Sequence, residues 1–361
     1  MGTAPLAAIG TTDRGCGMSG VRVTAAVPAA RWDAYVTSRS AATGYHLAAW
    51  SSVFRQAFGH ETRYLAAEAD GEIVGILPLV IFQSRFLRRF VVSLPFVNYG
   101  GVVADTPEVE RALLDAAIAE TRASRGAFLE MRHTRRLFPS LPAKQHKVAM
   151  VLPLEGTADG QWAGLHRKVR NQVRKAEKSG LRASRGGPEL LSAFYDVFAR
   201  NMRDLGTPVY GQAWFRHILA AFPERTRVVC VWHGDRPVAA SLVFWHRDTM
   251  EVPWASSFRE FNPLCANTLL YWDMLRLAIE QGCRTFDFGR STPGEGTYEF
   301  KRQWGAEPHA LNWEYWLAVG REQLPDLSPK NPRVQWAIEV WRRLPMAVTR
   351  AVGPLVVRNI P

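Results

Sequence analysis

The chain carries one structural pattern twice, and this internal repeat limits its fold more than any other feature of the sequence. Residues 64–82 and residues 228–246 each place a turn, at Gly71 and Gly234, between two apolar runs. Apolar runs on both sides of a short glycine-containing turn predict a β-hairpin. The two turn glycines are 163 positions apart. A second, unrelated feature should recur at a similar distance if the chain is a tandem duplication.

A helix followed by a buried strand recurs at nearly that distance. Helical periodicity covers roughly residues 107–124 and again roughly residues 265–281, and a glycine ends each helix before an apolar strand. Glu130 in the first of these strands and Asp287 in the second are 157 positions apart. The sequence therefore predicts two tandem domains of about 150 residues each.

In each copy the pattern predicts helices, a hairpin, a strand, a helix and a final strand. This order of elements predicts an α/β architecture with a mixed sheet. The order of these elements resembles the acyl-CoA N-acyltransferase (GNAT) fold. We assign residues 21–152 to the first GNAT-like domain and residues 153–322 to the second. Residues 1–20 are expected to be disordered, and residues 323–361 are expected to form an amphipathic C-terminal tail.

Charge and cysteine content limit the classes of function. The formal net charge is +12, which favours a polyanionic partner such as tRNA, anionic lipid or a phosphorylated substrate without choosing among them. The four cysteines show neither a CxxC pair nor metal-ligand spacing, so we expect no metal site and a reducing, cytoplasmic environment. No run of about eighteen apolar residues occurs, so no membrane-spanning helix is expected.

Residues 160–180 form the clearest helix of the sequence, with Gly180 as its C-terminal stop. Its apolar stripe consists of Leu165, Val169, Val173 and Ala176. The opposite face carries a ridge of cations, formed by Arg167, Arg170, Arg174 and Lys178. Like charges at this spacing repel one another unless an anion lies on them, so the ridge predicts a phosphate-binding surface. The alternative is a solvated face of a basic protein.

The segment "FDFGRSTPGEGTYEFKRQWG", residues 286–305, passes from a buried strand through a Gly/Pro loop into a short helix. Asp287 lies among apolar residues, where a carboxylate is expected to be paired, capped or catalytic. Lys301 lies beside Phe300 and Trp304. A lysine next to aromatic rings can lose hydration, which lowers its pKa and strengthens its effect on an oxyanion. The alternative is a surface lysine whose stem lies over Trp304.

Three stretches resemble the Fem-type (FemAB) family of non-ribosomal aminoacyl transferases, which have two tandem GNAT-like domains. They are "RKVRNQVRKAEKSGL" (167–181), "NTLLYWDMLRLAIEQGCRTFDFGR" (267–290) and "YEFKRQWGAEP" (298–308), of which the last is similar to the family's FKxxFG segment. The resemblance spans about residues 25–320. More narrowly, the chain resembles the FemAB-like proteins of PEP-CTERM/exosortase exopolysaccharide loci.

This resemblance implies an acyl- or aminoacyltransferase that modifies an amine or hydroxyl of a cell-envelope glycan precursor. The lysine of the FKxxFG segment lies in the substrate channel of Fem-type enzymes, which implies Lys301 as the catalytic cation. Phe300 would shape the channel, and Trp304 would lie beside it. No strong general base stands out, and the candidates are Asp287, Tyr298 and Glu299.

Further substrate contacts are implied in both domains. Arg170 and Arg174 are candidates for binding the acceptor's phosphates. The segment "FVNYGGVVAD" resembles the first-domain segment near the acceptor site, with Asn98 and Tyr99 as contacts; the alternative is a core strand followed by a glycine turn. Arg290 stands where the family often has a second glycine, which implies an altered acceptor pocket.

The sequence does not identify the donor of the acyl group. The acetyl-CoA-binding pattern Q/R-x-x-G-x-G/A is absent from the sequence, so the donor is expected to be an aminoacyl-tRNA or a divergently bound acyl-CoA, with no permanently bound cofactor. A hypothesis from another class is a non-catalytic RNA- or membrane-binding module that keeps the fold.

The tail repeats apolar residues at a spacing near 3.6 over residues 333–357, with arginines among them and with Pro345 and Pro354 as interruptions. One interpretation is an interfacial helix at the inner face of the cytoplasmic membrane. The other is a helix docked on the body of the protein.

Overall fold

The computed structural model describes residues 20–85, 88–318 and 332–360. The disorder predicted for residues 1–20 lies, except for Gly20, outside the described residues, as does the beginning of the predicted tail. Over the described ranges the chain forms two β-sheets flanked by helices, which confirms the predicted mixed α/β architecture.

The elements are numbered in chain order. The strands are β1 (Arg22–Thr24), β2 (Glu61–Ala69), β3 (Glu72–Ser84), β4 (Arg88–Val92), β5 (Val103–Ala104), β6 (Phe128–His133), β7 (Ala143–Lys144), β8 (Val148–Pro153), β9 (Leu181–Gly186), β10 (Thr226–His233), β11 (Arg236–His246), β12 (Thr249–Ser257), β13 (Thr285–Ser291), β14 (Glu307–Ala310) and β15 (Asn312–Leu317). The α-helices are α1 (Ala29–Ser38), α2 (Ala49–Phe58), α3 (Pro107–Ala123), α4 (Ala158–Gly164), α5 (Arg167–Lys178), α6 (Leu191–Leu205), α7 (Gln212–Ala221), α8 (Ala266–Glu280), α9 (Gly296–Arg302), α10 (Pro332–Arg343) and α11 (Met346–Val357). Short 3₁₀ helices span Gly44–His46, Pro188–Leu190 and Arg259–Leu264.

Both predicted hairpins are present, and the two sheets share one strand order. β2 pairs with β3 and β10 with β11, each antiparallel. Asp70 and Gly71 both have positive φ, 51° and 81°, which a tight hairpin turn requires. The first sheet runs β1-β2-β3-β4-β6-β15-β7 and the second runs β9-β10-β11-β12-β13-β8-β14. The strand after the long helix pairs in parallel in both sheets, β6 with β4 and β13 with β12.

The two halves of the chain exchange strands. β15 comes late in the sequence but lies in the first sheet, between β6 and β7. β8 precedes the second half but lies in the second sheet, between β13 and β14. The predicted boundary between residues 152 and 153 therefore falls inside β8, and the segment predicted as the second domain, 153–322, includes a strand of the first sheet. These pairings are long-range, and the local sequence pattern does not encode them.

One apolar core joins the halves. Tyr45 and Trp50 from the first half pack against Phe222 and Phe244 from the second, with the rings of Tyr45 and Phe244 stacked at 5.9 Å between centroids. Trp50 also lies 5.8 Å from Trp214. The junction is therefore packed like a domain interior, which holds side chains from both halves in fixed positions.

Gly44 lies at this junction, and a side chain there has no room. A Cβ atom on Gly44 would come within 2.1 Å of Phe244 Cε1. We expect Gly44→Ala to lower the free energy of unfolding by about 1–3 kcal/mol, because the core cannot accept a methyl group without shifting Phe244. Gly156→Ala is the matched control, since nothing lies within 4 Å of its Cβ position. Urea unfolding of both variants would measure the difference, and equal stabilities would show that the junction is loosely packed.

The predicted basic helix 160–180 is wrong as a single helix, because it is broken. α4 ends at Gly164 and α5 begins at Arg167. Between them Leu165 and His166 have extended backbone, with ψ of 143° and 139°. The His166 side chain caps α5 by accepting a hydrogen bond from Lys168 N at 3.2 Å. The apolar stripe is buried as expected, at Val169, Val173, Ala176 and Leu165.

The C-terminal tail forms two helices that dock on the body of the protein. α10 and α11 both pack on α6, and Arg350 of α11 pairs with Asp196 of α6 at 2.7 Å. Pro345 lies between the two helices, where its ring interrupts a continuous helix, whereas Pro354 lies within α11. In the described part of the chain no helix is both long enough and apolar enough to cross a membrane.

Candidate functional site

A buried carboxylate lies where the two halves meet. Asp287 of β13 is 1% exposed. It accepts hydrogen bonds from the Tyr99 hydroxyl at 2.5 Å and from Gly289 N at 2.7 Å. Burial raises the pKa of Asp287, while these two donors and the nearby charge of Lys301 oppose the rise. Asp287 is therefore capped by a donor from the other half of the chain, which ties the site to the junction.

A bulge after Asp287 shapes the site. The register of β13 against β8 shifts between Asp287 and Arg290. Gly289 within the bulge has φ of 76°, and a Cβ there would come within 2.9 Å of Val252 O. Only glycine fits this left-handed, tightly packed position. The bulge directs the carbonyl groups of residues 289 and 290 toward α9.

Lys301 of α9 is bound to those carbonyls. Its Nζ donates to Gly289 O and to Arg290 O, each at 3.0 Å, and the residue is 7% exposed. Burial lowers the pKa of Lys301 to about 8, and the neighbouring Asp287 opposes the shift. The side chain is therefore a buried cation held at a fixed point. It is not a surface lysine extended over Trp304.

A second buried carboxylate, which the sequence analysis missed, lies next to Asp287. Glu251 of β12 is the direct neighbour of Asp287 in the parallel pairing of β12 with β13, and it is 2% exposed. Its Oε2 has no hydrogen-bond partner in the described part of the protein. Burial and the charge of Asp287 hold the pKa of Glu251 well above its usual range. The sequence signal was a lone acid in an apolar strand, which has meaning only once the register is known.

Polar groups from the first half face these carboxylates. Tyr45 and Asn98 lie beside Glu251, and Asn98 Nδ2 donates to the Tyr45 hydroxyl at 3.3 Å. Tyr45 belongs to the 3₁₀ helix Gly44–His46, and nothing in its sequence context marked it as a site residue. The two carboxylates therefore lie in a buried polar cluster to which both halves contribute.

A cationic wall adjoins the carboxylates. Arg290 and Arg132 lie over the ring of Trp313, with Cζ at 5.4 Å and 4.4 Å from its centroid. Arg132 is paired with Glu130 at 2.7 Å. Within the described ranges, no carboxylate pairs with Arg290, whose pKa is lowered to about 10 by burial and by repulsion from Arg132. A partly buried guanidinium without a counter-ion favours an anionic ligand.

Lys147 extends this wall. Its Nζ donates to Thr292 Oγ1 at 2.6 Å, just beyond Arg290 in the chain. Burial lowers the pKa of Lys147, and the charge of Arg290 adds to the shift. Arg132, Lys147 and Arg290 together form what we call the cationic wall.

The structure brings five of the predicted site residues together, and they are Asn98, Tyr99, Asp287, Arg290 and Lys301. The other three predictions from the same loop pack elsewhere. Phe300 and Trp304 lie against Tyr271, at 5.1 Å and 6.3 Å between ring centroids. Tyr298 is half-buried against the core, and in the described chain no hydrogen bond joins it to the carboxylates or to the lysine. Their roles in binding or catalysis stay predictions.

Arg170 and Arg174 belong to a separate surface. They lie on α5, which packs against α8 and β9. The Arg174 guanidinium lies 5.4 Å from the Trp162 ring centroid. No hydrogen bond or ion pair within the described residues joins either arginine to the carboxylates or to the cationic wall. If these arginines bind a ligand, that ligand would lie on the surface of α5, apart from the buried site.

A buried histidine–carboxylate pair joins β6 and β15. His133 Nδ1 and Glu314 Oε2 are 2.7 Å apart, and both side chains are almost fully buried. His133 Nε2 is buried without a partner among the described groups, beside a cavity of about 40 Å³ that His46 and Gly101 also line. Glu314 lies on β15 and His133 on β6, so the pair joins the exchanged strand to the first sheet.

Comparison with known proteins supports the fold. The family described as "Acetyltransferase (GNAT) domain" matches residues 163–302, which are fewer than half of the residues of the chain. No curated protein sequence matches the chain significantly.

Solved structures extend the likeness over both halves. FemX is similar with a TM-score of 0.64 at 15% identity, covering 81% of this chain and 96% of FemX. A tandem GNAT protein from the clavulanic acid biosynthesis pathway gives a TM-score of 0.51 at 12% identity, covering 84% of this chain and all of that one. A C-terminal domain from Agrobacterium fabrum, assigned to a lysylphosphatidylglycerol synthetase, gives 0.54 at 13% identity, covering 79% and 91%. Identities this low show the fold alone, and that fold is the tandem GNAT acyltransferase fold that the sequence predicted.

Proposed function

We propose that the protein transfers an acyl or aminoacyl group onto an amine or hydroxyl of an anionic acceptor bound between its two halves. The observation that carries this proposal is the buried cluster of Lys301, Asp287 and Glu251 beside Arg290, which pairs with no carboxylate of the described residues. A fixed cation and a capped carboxylate are the groups that acyl transfer needs, and perturbed titratable groups concentrate at functional sites.

The reaction follows from the positions of these groups. The nucleophile of the acceptor attacks the donor's carbonyl carbon, a C–N or C–O bond forms, and the carbonyl oxygen becomes an oxyanion stabilised by the Lys301 ammonium. The nucleophile's proton passes to the Tyr99 hydroxyl, which hands its own proton to Asp287. When the carbonyl re-forms, the bond to the donor's leaving oxygen or sulfur breaks, and that atom takes up the proton.

Glu251 determines which of the two neighbouring carboxylates, its own or that of Asp287, carries the charge. Two adjacent buried carboxylates do not both ionise. Burial and the charge of Asp287 hold the pKa of Glu251 well above its usual range although Tyr45, Tyr99 and Asn98 oppose the rise. Asp287, by contrast, also accepts a hydrogen bond from Gly289 N and lies near the charge of Lys301. Glu251 therefore keeps the shared proton, and Asp287 stays the ionised proton acceptor. Tyr298 is in this scheme a lesser candidate for the base, since within the described ranges no hydrogen bond joins it to the lysine or to the carboxylates.

The cationic wall favours an acceptor that carries phosphate. Arg290 and Lys147 would bind that group, with Arg132 held in place by Glu130. A nucleotide- or lipid-linked cell-envelope glycan precursor, as in PEP-CTERM/exosortase systems, fits this chemistry. The name of the Agrobacterium fabrum protein likewise joins an aminoacyl group to a phosphate-bearing acceptor. Aminoacyl-tRNA and acyl-CoA are the two donors that we propose to test.

The proposed role of Lys301 predicts a pH dependence. Lys301 is protonated below a pKa of about 8 and neutral above it, so the transfer rate should fall as pH rises through about 8. A rate profile from about pH 6 to about pH 10 would measure the effect. Lys301→Arg keeps its charge over this range and should move the basic limb upward. If the basic limb of the rate profile stays at the same pH in Lys301→Arg, the fall in rate reflects the titration of another group.

Donor binding is the experiment that tests the function. Purified protein, wild type and Lys301→Ala, would be titrated with aminoacyl-tRNA, uncharged tRNA and acyl-CoAs at two salt concentrations. A preference for charged over uncharged tRNA would support aminoacyl transfer. Saturable acyl-CoA binding with salt-sensitive, indifferent tRNA binding would support acyl-CoA transfer. Binding of neither donor class would overturn the transferase proposal.

A non-catalytic RNA-binding module is the second candidate, and the exposed cations of α5 favour it. It predicts that Arg167→Gln/Arg174→Gln abolishes polyanion binding and function while Lys301→Ala changes neither. The transferase proposal predicts the reverse, with turnover lost in Lys301→Ala and polyanion affinity nearly unchanged.

A further inference from the structure

Large apolar side chains are exposed mainly on the two C-terminal helices. Among the described residues, the exposed large apolar side chains on α10 and α11 are Trp336, Val340, Val348, Val352 and Leu355. Trp336 is 71% exposed and Leu355 is 61% exposed. The remaining one is Leu205, the last residue of α6, whose carbonyl lies 3.5 Å from Arg342 Nη2 of α10. Contiguous apolar exposure of this kind marks an interaction surface.

The exposed side chains lie away from the docked faces of the helices. Ile338 faces the protein, since a Cβ on Gly206 would come within 2.4 Å of Ile338 Cγ2. Trp336 and Val340, two positions to either side, are on the opposite face of α10. In α11 the buried positions are Thr349, Gly353 and Val357, and a Cβ on Gly353 would meet Val209 within 2.8 Å. Docking on the body therefore uses one face of each helix, and among the described residues another, apolar face stays exposed.

Exposed arginines lie on or directly after the same two helices, and one of them, Arg358, has its Nη2 beside Gly59 at the end of α2. Residues 332–360 contain five arginines and a single glutamate. Arg342 is paired with Glu339, and Arg350 with Asp196. Arg343 and Arg358 are exposed, and in the described part of the chain neither forms an ion pair. An apolar face bordered by unpaired arginines is complementary to a surface that is both apolar and negatively charged.

We propose that this tail surface, formed by the exposed apolar residues of α10 and α11 with Arg343 and Arg358, docks on an anionic lipid bilayer. The helices lie in the headgroup region, with Trp336 and Leu355 inserted and the arginines against lipid phosphates. A second copy of the chain is the less suitable occupant, because it would bring the same unpaired arginines face to face. The proposal does not depend on which group the buried site transfers.

Vesicle binding tests the proposal on the full chain. Purified protein is mixed with vesicles of phosphatidylcholine alone and with vesicles that also contain phosphatidylglycerol, and the bound fraction is measured by sedimentation. We expect binding to the anionic vesicles only, weakened by salt, with a blue shift of tryptophan fluorescence. Trp336→Glu/Leu355→Glu should lower binding by about tenfold or more, and Arg343→Gln/Arg358→Gln should lower it by a similar factor.

The matched control is Ala119→Glu/Ala183→Glu, which adds the same two charges at exposed positions of α3 and β9. It should bind like the wild type, which separates the tail surface from a general effect of net charge. Absence of binding to anionic vesicles would overturn the proposal. So would binding that survives both tail variants, since the α5 cations would then be responsible. A dimer in lipid-free solution that Trp336→Glu/Leu355→Glu dissociates would assign the surface to a second copy.

Discussion

Replacing Lys301 with methionine is expected to lower the rate of transfer by about a hundredfold or more. Methionine keeps the unbranched stem but removes the ammonium that donates to Gly289 O and Arg290 O and faces Asp287. A preorganised charge in a water-excluded site stabilises an oxyanion far more than a solvated one does. Single-turnover transfer from the donor that the binding titration identifies would measure the effect.

The control for this variant lies one residue away. Arg302→Met removes a positive charge from the same helix, at an exposed position, and should change the rate less than threefold or so. The melting temperature of Lys301→Met is measured alongside the rate, because removing the buried ammonium relieves its desolvation but leaves Gly289 O and Arg290 O without that donor. A folded Lys301→Met protein with a wild-type rate would show that the lysine only supports the bulge after β13.

The sequence was sufficient for those features that depend on local pattern. The hairpins around Gly71 and Gly234 and the helix-then-strand units ending in Glu130 and Asp287 follow from periodicity and turn residues. Lys301 was singled out by its aromatic neighbours and by the resemblance of its segment to FKxxFG, whereas the aromatic neighbours alone also allowed a surface lysine over Trp304. The position of its ammonium against two bulge carbonyls could not be predicted, because the bulge at Gly289 depends on the register of β13 against β8, which the local sequence does not encode.

Features that depend on long-range pairing could not be predicted. Glu251 becomes a site residue only through the register that sets β12 against β13, and its strand shows no other sign of function. The exchange of β8 and β15 likewise depends on which edges are left unpaired after the rest of each sheet has formed. The break at Leu165 and His166 was missed because both residues fit the helical periodicity, and the cap that His166 provides outweighs it.

The largest loss of stability is expected from substitution of Glu314, which lies on the exchanged strand β15. This carboxylate is fully buried and accepts hydrogen bonds from Leu137 N at 3.0 Å and Phe138 N at 2.8 Å, with His133 Nδ1 at 2.7 Å. Burial alone would raise the pKa of Glu314, but the contact with His133 and the backbone donors bring it below its ordinary value. The ionised form therefore stabilises the fold, and this contribution is lost as pH falls through the lowered pKa.

We expect Glu314→Ala to lower the free energy of unfolding by about 3–5 kcal/mol, because it leaves two backbone donors and His133 buried without their partner. Glu314→Gln keeps an acceptor oxygen but not the charge, so it should lose less. Glu307→Ala, at an exposed position of β14, which precedes β15 in the chain but belongs to the other sheet, is the control and should change stability by less than about 0.5 kcal/mol. Urea unfolding at neutral pH measures all three. Equal stabilities of Glu314→Ala and Glu307→Ala would mean that the carboxylate does not secure β15, and the attachment of the exchanged strand would then rest on its backbone ladder with β6.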